Sequence, residues 1–75
     1  MFTKQLTRSG QVKRFSVVTS ERGDGWEVRI EQDSTIVRQT RYADWHRVER
    51  ALLLIEREVS ELESLGWQSE LAPQS

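Results

Sequence analysis

Seventy-five residues without a cysteine make one small domain that neither disulfides nor thiolate metal clusters can hold together. At 36% hydrophobic and 31% charged, the chain is composed like a folded domain, not a disordered one. Its net charge of −1 argues against strong sequence-independent binding to nucleic acid, and no apolar run approaches the ~20 residues of a membrane helix.

The small total hides an asymmetry. Residues 1–50 carry ten Lys/Arg against seven Asp/Glu, whereas residues 51–75 carry one Arg against five Glu. The opening MFTKQLTRSG lacks the apolar centre of a secretion signal, so a cytoplasmic location is expected.

Residues 2–8 form a weak strand, closed by the turn signal Ser9-Gly10. Residues 12–20 are a stronger one, with Phe15, Val17 and Thr19 on one face and Ser16 and Val18 on the other. Residues 21–25 are a loop containing Arg22-Gly23-Asp24, an adhesion-like tripeptide better explained as a glycine-containing hairpin connection. In residues 26–32, Trp26, Val28 and Ile30 alternate strictly with Glu27, Arg29 and Glu31, giving one buried and one wet face. Asp33-Ser34 turns the chain into residues 35–42. There Ile36 and Val37 break the alternation, which calls for an edge bulge or a second buried surface.

Asp44 is a good N-cap. From Trp45 the apolar residues Trp45, Val48, Leu52, Ile55, Val59 and Leu62 recur at spacings of three and four, the seam of a helix over 45–65. Gly66 then fits the left-handed C′ position and Trp67 the C″ position, where it can fold back on Leu62.

The predicted architecture is α+β in two layers: an antiparallel meander of three or four strands (β-β-β-α or β-β-β-β-α) with one long C-terminal helix packed on one face. The domain occupies residues 1–67, and 68–75, with Pro73, are expected to fray as a disordered tail. Trp26 and Trp45 sit on apolar faces, so core packing accounts for them better than stacking on nucleic-acid bases.

Catalysis finds little support. There is one histidine, no cysteine, no phosphate-cradling glycine loop and no serine elbow. His46, Asp44 and Glu49 have no recognised metal-ligand spacing. A non-enzymatic domain without cofactor or metal is the expectation.

Two surfaces remain. One is an interaction surface for a protein partner or a second copy, through the helix or the open sheet. On the helical wheel Leu54 and Leu65, with Ala51, widen the seam on one shoulder and Leu53 stands apart. Val18 and Arg29 belong to the open sheet face. A helix of about 31 Å also overhangs a strand of about 24 Å, which gives a small domain a reason to self-associate. The alternative is a nucleic-acid or phosphate site at the helix N-terminus. It would gather Arg38, Arg41, His46, Arg47 and Arg50 around backbone N–H groups. The ordinary explanation of those charges is a solvated face.

Overall fold

The computed structural model describes residues 2–70. Its elements are β1 (Phe2–Arg8), β2 (Gln11–Thr19), β3 (Trp26–Gln32), β4 (Thr35–Tyr42), α1 (Trp45–Ser64) and β5 (Gln68–Glu70). The fold is α+β, a five-stranded antiparallel sheet in the order β4-β3-β2-β1-β5 with one long helix.

Tight turns set the registers. Ser9 and Gly10 have φ of 50° and 82°, and Asp33 and Ser34 have φ of 51° and 70°. Two successive left-handed residues are what a two-residue hairpin needs to match strand twist. Asp33 also ties its turn to β2: the Val12 N–H donates to Asp33 Oδ1 at 2.9 Å, and the Asp33 N–H donates to the Val12 carbonyl at 2.9 Å. The longer β2–β3 loop, which holds Arg22-Gly23-Asp24, closes through Ser20 N–H to the Gly25 carbonyl at 2.8 Å. Gly25 is required there, because a Cβ would collide with the Tyr42 carbonyl oxygen.

Cross-strand pairing of Phe15 with Ile30 and of Val17 with Val28 puts the apolar sides of β2 and β3 on the helix face. These four, Leu6, Trp67 and the helix residues Val48, Ile55 and Val59 form the core. Ile36 and Val37 answer the question their sequence posed. Ile30 pairs with Arg38 while Glu31 pairs with Ile36, so one extra residue is accommodated as a bulge. Both side chains are exposed, at 49% and 57%, on the edge strand. The bulge, not a second buried surface, accounts for the pair among the described residues.

The helix begins and ends where its capping residues dictate. Asp44 has extended backbone angles and accepts the His46 N–H at 2.9 Å. At the far end Gly66 N–H donates to the Glu63 carbonyl and Trp67 N–H to the Leu62 carbonyl, with Gly66 at φ 101°. This is the reciprocal bonding of a Schellman stop. Trp67 is buried, with the Lys13 ammonium 5.8 Å from its ring centroid.

Two expectations change. Residues 68–70 are not a frayed tail: they pair antiparallel with β1, Leu6 opposite Ser69. Buried Trp67 anchors the chain beside the outer edge of β1, whose unpaired backbone groups then recruit three polar residues that carry no strand pattern of their own. The expected tail beyond residue 70 lies outside the described residues. Trp45 is the second change. It opens the apolar seam but is 41% exposed, because the first turn of α1 lies at the margin of the sheet. There it packs edge-on against Trp26, ring centroids 5.1 Å apart.

Candidate interaction surface

A strand alternates its side chains between faces, and this decides where the arginines go. Ile30 pairs with Arg38 and Glu27 with Arg41. Ile30 belongs to the core side, so Arg38 lies on the helix face and Arg41 on the open face of the same strand. The expected convergence of Arg38 and Arg41 on the helix start therefore does not form: two residues three apart on a strand cannot share a side. His46, Arg47 and Arg50 are exposed on the first turns of α1. His46 offers Asp44 its backbone N–H.

The open face is tied up internally. Glu27 is only 8% exposed and accepts hydrogen bonds from Arg29 Nε at 2.8 Å and from Gln39 Nε2. Arg29 Nη2 lies 2.6 Å from the same carboxylate. The hydrogen bonds from Gln39 and Arg29 hold the Glu27 carboxyl below its ordinary range. Beside it, Arg14 donates twice to Gln5 Oε1, at 3.0 and 2.8 Å, and reaches Glu31 at 3.9 Å. Val18 is half-buried next to this network. Of the expected interaction residues, Val18 and Arg29 thus stand on a polar, cross-linked surface. Arg22, Arg29 and Arg41 rim a hollow of about 310 Å³ there, together with Glu21 and Glu27.

The opposite side is different. Between β4 and α1 runs a groove of about 290 Å³. Its floor is Val28, Ile30 and Tyr42, its helix wall includes Ala51, Leu54 and Ile55, and Arg38 and Glu58 line it as well. Leu54 is 60% exposed at its mouth. The helix seam covers β3 better than β4, so this strip of apolar surface is left open. Leu65, also exposed, caps the C-terminus of α1. On a 3.6-residue wheel it falls on the same shoulder as Leu54, whereas exposed Leu53 falls about 100° away. The structure thus joins Leu54 to the groove and leaves Leu53 apart.

Sequence reasoning did not foresee the groove. The available signal was that Arg38, Thr40 and Tyr42 share one parity on β4 and that Glu58 follows Leu54 by one turn. Among the described residues no three His, Asp or Glu side chains are grouped to hold a metal ion, and no helix is long and apolar enough to cross a membrane. Comparisons of the chain with family models, curated proteins and solved structures find no match.

Proposed function

We propose that this chain is a non-catalytic protein-interaction domain that docks its partner along the β4 edge and the adjoining Leu54 shoulder of α1. One observation carries the reading: apolar surface is left open beside an unpaired strand edge, with Leu54 60% exposed at the mouth of the groove. A β4 edge offers backbone donors and acceptors, and the groove offers apolar side-chain sites, the combination used by extended or helical partner segments. The open sheet face suits a protein partner less well, because Glu27, Arg29 and Gln39 at its centre already satisfy one another.

The reading of the arginines as a nucleic-acid or phosphate site is weaker. It needs Arg38 and Arg41 together, and they occupy opposite faces.

A photo-cross-linking residue tests the docking face. Leu54→benzoylphenylalanine is expected to yield protein adducts in cells, while Val18→benzoylphenylalanine, on the open face, yields none. Adducts from position 18 alone, or nucleic-acid adducts from position 54, would overturn the assignment.

A further inference from the structure

The charges on α1 run the wrong way for an isolated helix. Its first turn holds no acidic residue and its last turn no basic one. Instead His46 and Arg47 sit at the N-terminal end, which already carries positive partial charge, and Glu61 and Glu63 sit at the negative end. The Asp44 cap is the one carboxylate at the N-terminal end; among the described residues, neither Arg47 nor Arg50 forms an ion pair, and nor do Glu58 and Glu61.

The positions of these charges are symmetric. Arg47 and Glu61 stand seven residues to either side of Leu54, and Arg50 and Glu58 stand four to either side. Together with Leu65 they fall within an arc of about 80° on the wheel, along the shoulder that borders the groove. A second α1 laid antiparallel along that shoulder, with Leu54 against Leu54, brings Arg47 and Arg50 of each copy beside Glu61 and Glu58 of the other. A parallel arrangement would set like against like.

We infer that the partner on this surface is a second copy of the chain, related by a two-fold axis at Leu54, with the two α1 helices antiparallel. The inference rests on the interaction reading above and names its partner. Charge complementarity carries it, because the pattern is its own complement and the contact is isologous. Pairing also removes the local conflict, since the basic start of each helix lies beside the acidic end of the other. In this arrangement the two β4 edges lie on the interface side, and each Leu54 covers the mouth of a groove.

Sedimentation equilibrium from the micromolar range to roughly 1 mM tests it, because that span brackets a weak homodimer. The wild-type chain is expected to dimerise with concentration, less tightly in high salt. The doubles Arg47→Glu/Arg50→Glu and Glu58→Arg/Glu61→Arg should each raise the dissociation constant at least tenfold. An equimolar mixture of the two doubles, and the fourfold exchange in one chain, should restore association. Misfolding does not mimic this result. Each double improves the match to the helix dipole, so the dilute monomer should melt no lower while association falls.

A chain that stays monomeric throughout, or a fourfold variant as weak as the doubles, overturns the inference. If the monomer nonetheless cross-links a different protein from position 54, self-pairing fails and the interaction reading stands. If neither occurs, both fail.

Discussion

On the open face of the sheet, Glu27 is clasped by Arg29 and Gln39 and Arg14 spans Gln5 and Glu31, whereas on α1 neither Arg47 nor Arg50 forms an ion pair among the described residues. Both regions carry charges of both signs, but one closes Arg14, Glu27 and Arg29 within the chain and the other leaves its arginines to solvent or a partner. Geometry explains the difference. On one face of a sheet, neighbours two apart on a strand, such as Glu27 and Arg29, and cross-strand neighbours, such as Arg14 and Glu31, stand within reach of one another. On an exposed helix, only residues three or four apart can do so. Around Arg47, Arg50 and Glu58 those positions within α1 hold like charges, apolar residues or His46, and, among the described residues, the one opposite pair in reach of Glu61, with Arg57, is not closed. Arg47 and Arg50 thus sit too far from Glu58 and Glu61 along α1 to meet them within one molecule.

The largest expected effect breaks the core on which both regions depend. Phe15 is fully buried between β1 and β3 and faces the helix. Phe15→Ala should cost about 3–5 kcal/mol, a large share of the stability of a domain this small. Urea unfolding followed by tryptophan fluorescence would measure it. A midpoint that barely moves would mean that the layers are not held by this residue.

Asp44→Ala acts on the helix region alone. It removes the acceptor for the His46 N–H and should cost about 0.5–2 kcal/mol in the same assay. Amide exchange should quicken first at residues 45–48, with the hairpins little affected.

Glu27→Gln acts on the sheet region. Its folded carboxyl is held below its ordinary range, first by the Gln39 hydrogen bond and then by the Arg29 hydrogen bond. A depressed carboxyl stabilises the fold fully above its unfolded value, and that contribution is lost as pH falls through the folded value. The wild-type chain should therefore lose more stability between about pH 7 and about pH 3 than Glu27→Gln does. Parallel acid profiles for the two proteins would show that the network does not hold the carboxylate ionised.

Much of the fold was legible because its signals are local. Strict alternation in Trp26, Val28 and Ile30, the three-and-four seam from Val48 to Leu62, and the caps Asp44 and Gly66 each follow from backbone geometry acting over a few residues. What escaped depends on distant partners. Gln68–Glu70 becomes a strand only because β1 offers an edge, and nothing in those three polar residues says so. Trp45 is exposed because of where the helix starts relative to the sheet. The groove exists because one helix cannot cover five strands equally, a property of spacing between layers. The separation of Arg38 from Arg41 is another matter: their odd spacing contains it, since neighbours in sequence on a strand project to opposite faces.

That separation gives the smallest expected signal and the sharpest test of the contrast between the two regions. A phosphate-binding surface needs several cations within reach of one backbone, and its affinity falls steeply with salt. Here Arg38 lines the groove that Glu58 also lines, and Arg41 is on the open face opposite Glu27. Arg29 is held by that same Glu27 carboxylate. Arg47 and Arg50 remain, and Glu49 lies between them in the sequence. Amide spectra recorded while a mixed-sequence single-stranded oligonucleotide is added at low salt should stay nearly unchanged over residues 38–50. Large, salt-sensitive shifts there would mean that the exposed helix charges serve an anion and not a second helix. They would also identify the reversed charge order along α1 as a nucleic-acid contact, made by arginines that the fold holds apart on β4 but leaves exposed on the helix.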